Sequence, residues 1–152
     1  MLITKLKYKE TIVSLITGKA FVINCHGCKE VCFPEEEAKA LQAELQAEGK
    51  LTGILTTDYI CNPENMKLRL SYWAEEIAAA DTILVFSCGV GVQTIADYLE
   101  ASPEQFSDFI TILKRAKTWG ELDTYGEYTL FAPTNSAVQA YLAEKGFNTL
   151  DS

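Results

Sequence analysis

Three short apolar runs, each closed by a cysteine, constrain this chain more than any other feature. Phe21-Val22-Ile23-Asn24 stops at Cys25, residues 51–60 (LTGILTTDYI) stop at Cys61, and Ile83-Leu84-Val85-Phe86 stops at Ser87-Cys88. Helix-forming sequence separates them. Pro34 to Glu48 is rich in strong helix formers, carries Leu41 and Leu45 four apart with acidic residues in its first turn, and meets Gly49. Asn62-Pro63 offers a cap and a first-turn proline, after which Met66, Leu70, Trp73 and Ile77 form one apolar stripe. GVGVQTIADYL begins another helix. Apolar strands alternating with helices predict βαβ units, so the expected fold class is α/β with a short parallel sheet.

In a parallel sheet every C-terminal strand end lies on one edge, where open α/β folds place ligands. The pattern therefore predicts that Cys25, Cys61 and Cys88 reach a common rim. Cys25, Cys28 and Cys32 are also clustered around Gly27, an arrangement that lets thiolates converge on a metal at little ordering cost. With Cys61 as a fourth ligand and Cys88 as a further candidate, the set suits tetrahedral zinc or a [4Fe–4S] cluster, and spacing does not separate the two. Other readings exist for the same residues. Cys61 and Cys88 suit small buried apolar positions, and His26 beside Cys25 suits either a loop residue or the base of a nucleophilic pair. Gly89 and Gly91 ahead of a helix offer backbone N–H groups to an anionic cofactor, or simply a tight turn; the full dinucleotide fingerprint is absent.

Composition removes several classes. Thirteen Lys and Arg against twenty-one Asp and Glu give a net charge of −8, so phosphate backbones and anionic membranes are poor partners. The longest near-apolar stretch, Ile83 to Val92, falls well short of the ~20 residues a membrane helix needs. Lys5, Lys7 and Lys9 precede TIVSLITG, which lacks a long apolar core and a cleavage site. The expected compartment is the cytoplasm, where thiols stay reduced.

The last third changes character near Glu100 to Pro103. Ser102-Pro103-Glu104-Gln105 reads as a capping box, followed by Phe106, Phe109, Ile110, Leu113 and Ala116 on one helix face. Tyr128 to Phe131 is a short strand, and Asn135 is the expected cap of a final helix.

Two families are suggested by particular motifs. VINCHGCKEVC, the acidic helix after it, the isolated Cys61 and ILVFSCGVGVQTIAD make residues 1–99 resemble the C-terminal methylenetetrahydrofolate reductase domain, also found as a small partner subunit of that reductase. The resemblance implies a Rossmann-like three-layer domain holding zinc or an iron–sulfur cluster through Cys25, Cys28, Cys32 and Cys61, with Cys88 beside it. Its implied role is support of, or electron delivery to, a flavin-dependent methylenetetrahydrofolate reductase-like subunit in one-carbon metabolism.

FSDFITILKRAKTWGELDTYGEYTLFAPTNSAVQAYL resembles the first half of a fasciclin domain, with the YTLFAPTN block that marks the family. That resemblance implies a non-catalytic adhesion or interaction module, commonly outside the cell. The expected organisation is thus a metal-binding α/β unit over residues 1–100 and a small α+β annex over 101–152. The expected function is an accessory metal protein of a reductase complex, with a fasciclin-type module or a composite chain of no single natural function as alternatives.

Overall fold

The protein is seen in a computed structural model that describes residues 2–3, 13, 16, 18–26, 35–116 and 127–150. Its elements run β1 (Leu2–Ile3), β2 (Ala20–Cys25), α1 (Glu35–Ala47), β3 (Leu51–Thr57), α2 (Pro63–Ser71), α3 (Ala74–Ala78), β4 (Thr82–Cys88), α4 (Gly89–Glu100), α5 (Pro103–Arg115), β5 (Glu127–Pro133) and α6 (Asn135–Glu144). They form a mixed α/β structure with one five-stranded sheet in the order β1-β5-β4-β2-β3. β3, β2 and β4 are mutually parallel, as the βαβ reading expects.

The sheet carries helices on both faces because its strands are apolar on both. Phe21, Ile23, Leu55, Ile83, Val85, Leu130 and Ala132 project into one core with side chains of α2, α3, α4 and α5. Ala20, Val22, Leu84, Phe86 and Phe131 face the other way and meet Leu41 and Leu45 of α1, together with Val13 and Ile16. The two lists alternate residue by residue along β2 and β4, the period of an extended chain.

Three expectations change. First, the 51–60 strand ends at Thr57, because Tyr59 adopts φ 52° and turns the chain. Second, the stripe from Met66 to Ile77 breaks at Tyr72-Trp73 into two helices, although Met66, Leu70 and Ile77 still share one core, with Trp73 packed against it. Trp73 stacks at 53° on Phe21, ring centroids 5.5 Å apart. Third, the sheet is not wholly parallel: β5 pairs antiparallel with β4 along its whole length, from Thr82↔Pro133 to Cys88↔Glu127. Two long helices, α4 and α5, separate these strands, so the chain re-enters the sheet from the end it left.

That pairing bears on organisation. The segment after residue 100 contributes a strand to the same sheet, and its Phe106, Phe109, Ile110 and Leu113 lie in the same core as Phe21 and Ile83. The change in composition near Pro103 is a change of sequence character and not of packing.

Candidate functional site

The strand ends β3, β2 and β4 lie side by side in the sheet. Cys25 closes β2 opposite Thr57, and the backbone N–H of His26 donates to the Thr57 carbonyl at 2.9 Å. Cys88 closes β4, the next strand over. The backbones are therefore neighbours. The sulfurs are placed differently. Cys25 is half-buried and packs against the core that holds Phe21 and Ile23. Cys88 is buried at the start of α4, a helix whose Val92, Ile95 and Ala96 pack into that same core.

Cys88 has a local task. It is the N-cap of α4, and its Sγ accepts the Gly91 N–H at 3.5 Å, a weak bond that satisfies one of the unpaired amides at the helix start. The Ser87 hydroxyl lies 4.0 Å from the same sulfur. Gly91 is required by packing: a Cβ there would fall 2.1 Å from Ser87 Oγ and 2.7 Å from Ile60 Cγ1. Its N–H faces Cys88, so the geometry favours the tight-turn reading of Gly89 and Gly91 over an anion cradle.

The Tyr59 turn decides where Cys61 goes. A non-glycine residue in the left-handed region is uncommon and costs about 1–2 kcal/mol. Here it drops Ile60 completely into the core beneath Gly91 and leaves Cys61 exposed at the start of α2. Among the described residues no group of three or more His, Cys, Asp or Glu side chains is placed to hold a metal ion. Cys28 and Cys32 lie outside the described residues. Cys25 and Cys88, at neighbouring strand ends, and Cys61, beyond the end of β3, thus do not form a ligand group by themselves.

One polar group near this edge is unusual. Asn24, at the penultimate position of β2, is buried; its Nδ2 donates to Thr56 Oγ1 at 3.2 Å, while its Oδ1 has no partner among the described residues. On α4, Tyr98 packs against the first core, and burial pushes its phenol above the ordinary tyrosine range.

The second candidate region is the α5–β5–α6 unit. The side chain of Asn135 is its centre. Its Oδ1 accepts the Asp108 backbone N–H at 2.9 Å, and its Nδ2 lies 3.2 Å from the Pro103 carbonyl, 3.3 Å from that of Glu104 and 3.1 Å from Ser107 Oγ. Asn135 is therefore not the cap expected of it. That position belongs to Thr134, whose Oγ1 accepts from Ala137 N at 3.3 Å. Ser102 likewise makes no side-chain cap, and Gln105 reaches across to the Ile77 carbonyl at 3.0 Å. Gln139 donates to Asp108 at 2.8 Å, a second tie between α6 and α5, and Arg115 at the end of α5 donates to the Leu150 carbonyl at 3.3 Å. Ile112, Tyr141 and Phe147 remain exposed on this unit. Asn and Thr are both common caps, so the sequence alone offers two adjacent candidates, and only the contacts of Asn135 with α5 leave the position to Thr134.

No helix among the described residues is long and apolar enough to cross a membrane. Compared with curated proteins and with solved structures, the chain has no match. The reductase resemblance of residues 1–99 rests on its motifs alone. Residues 104–151, about a third of the chain, match the fasciclin domain family.

Proposed function

We propose that the chain is an interaction module of fasciclin type, binding a protein surface through its C-terminal third. The family match over residues 104–151 carries this reading. The way that segment is seated supports it: β5 is bonded along all of β4, and Asn135 fixes α6 to α5. A rigid support of this kind lowers the entropy cost of presenting side chains to a partner. Tyr141 and Phe147 are large, exposed and aromatic, the residue types that anchor interfaces.

A coated-surface adhesion assay tests the proposal. Cells should attach to immobilised protein above an albumin control, Tyr141→Asp with Phe147→Asp should abolish the excess, and Cys25→Ser with Cys28→Ser should not. Attachment no better than albumin, or unchanged by the aromatic substitutions, would overturn it.

A second reading is a cytoplasmic accessory protein of a methylenetetrahydrofolate reductase-type complex, with Cys25, Cys28, Cys32 and Cys61 as ligands of zinc or a [4Fe–4S] cluster. One observation favours it: the ends of β3, β2 and β4 are adjacent, and the Cys28–Cys32 segment leaves from the middle one. The strand order with helices on both faces suits the Rossmann-like architecture that this reading implies. A bound cluster would supply one-electron transfer, and zinc would supply a structural tie. Reducing conditions would keep the thiols available. Metal analysis and a visible spectrum after anaerobic purification test it; less than about a tenth of an equivalent of zinc or iron would remove it.

A further inference from the structure

We propose that the groove between β3 and α2 is a binding site for a small aromatic monocarboxylate. It is built from residues between Gly53 and Trp73, outside the fasciclin match, and so does not rest on that reading. Trp73 makes its floor. The break between α2 and α3 brings the indole against Gly53 of β3, where a Cβ would fall 3.0 Å from Trp73 Cζ3 and 3.0 Å from Phe21 Cε2. A glycine inside a strand often marks a close approach, and here the group it admits is an indole. The contact with Phe21 on the other side holds that ring in place before any ligand arrives. Leu55, two residues along the strand and on the same face, extends the floor. Asn65, Leu68, Arg69 and Tyr72 form the wall, and the groove holds about 290 Å³. That volume is at the small end for ligand sites, and it suits one ring system with a short acid arm.

Charge selects the occupant. Asn65 Oδ1 accepts the Arg69 Nε–H at 3.4 Å, one turn along the helix. No carboxylate among the described residues pairs with this guanidinium, so its two terminal amino groups are open to a ligand. An arginine without an acidic partner is notable in a chain of net charge −8. The guanidinium fork matches a carboxylate in two parallel hydrogen bonds. A phosphate dianion would meet the same single cation while suffering more from the negative field of the whole chain. The ring of the ligand finds apolar surface beside that cation. Leu68 and Tyr72 are 58% and 76% exposed, and both lose water when a flat aromatic body lies between them and Trp73.

Titration of the full chain with indoleacetate, followed by calorimetry and by proton–nitrogen correlation spectra, tests this. Binding should saturate with a Kd of about 0.1–1 mM, and the Trp73 indole and Arg69 Nε signals should move while those of α5 and α6 stay. Skatole, the same ring without the carboxylate, should bind the unsubstituted chain at least about tenfold more weakly. Indoleacetate should lose a similar factor on Arg69→Gln, an exposed position whose replacement should leave the urea midpoint unchanged. Lys67→Gln, on the same helix but outside the groove, should hold Kd within about twofold. Absence of saturation by about 10 mM overturns the proposal. So does equal affinity for skatole, indifference to Arg69→Gln, shifts centred away from Trp73, or tighter binding of indoxyl phosphate than of indoleacetate.

Discussion

The carboxamide oxygen of Asn135, the first residue of α6, receives the backbone N–H of Asp108 in the body of α5, at 2.9 Å and 27 positions away in sequence. The same side chain donates toward the Glu104 carbonyl, so it bridges two groups four residues apart that a helical rung would join. One amide thereby couples the start of the last helix to the first turns of the helix before it.

Replacing Asn135 with Ala should cost about 2 kcal/mol, because polar groups of α5 lose partners in a half-buried site. Asn135→Asp should cost a similar amount, since a carboxylate keeps the acceptor but opposes the Pro103 and Glu104 carbonyls. Urea unfolding curves at constant m-value measure both; a loss under about 0.5 kcal/mol would show that the bridge is idle.

The two helix starts should respond differently to the same change. Thr134→Ala removes an observed cap and should lower stability by about 1 kcal/mol. Ser102→Ala removes a side chain that caps nothing and should be neutral within about 0.5 kcal/mol. Equal losses at both positions would contradict the capping geometry.

Gly91→Ala should destabilise by about 1–3 kcal/mol through overpacking against Ser87 and Ile60. Adding Ser87→Ala should recover part of this loss, because the hydroxyl makes the nearer contact. A double-mutant cycle by thermal or urea unfolding measures the coupling, and strict additivity of the two changes would place the close approach elsewhere.

Tyr59 occupies left-handed backbone, so Tyr59→Gly should be neutral to stabilising, by up to about 1 kcal/mol, in contrast to an ordinary surface glycine substitution. Denaturation midpoints compare it with Asp58→Gly in the same turn. A larger loss for Tyr59 than for Asp58 would mean that its ring, and not its backbone, sets the turn.

The thiols should separate by accessibility. Cys61 is exposed and Cys88 buried, so alkylation followed by peptide mass mapping should label Cys61 first and Cys88 only when the native state opens. Comparable labelling rates for the two would contradict the burial.

Much of the layout was readable in residue order. Uninterrupted apolar runs at Phe21 and Ile83 are the mark of strands covered on both faces, and the 3.6-residue spacing of Phe106, Phe109, Ile110 and Leu113 is the mark of α5. The YTLFAPTN block likewise pointed to the family that residues 104–151 match. These signals are local: they depend on which side of an element a residue occupies. The expectation that Cys25, Cys61 and Cys88 reach one rim needed more than local signals. Strand order brings Cys25 and Cys88 to neighbouring strand ends, but single torsions and caps decide the rest: the Tyr59 turn leaves Cys61 exposed, and the Cys88 sulfur caps α4.

The sequence by itself determined the class of elements, their approximate bounds and the net acidic charge. Tertiary structure alone decided that β5 joins β4, that Thr134 caps while Asn135 reaches to α5, and that Ile60 is buried while Cys61 is not. Each of those outcomes turns on contacts between distant segments or on a single backbone torsion, and neither leaves a periodic trace in the order of residues.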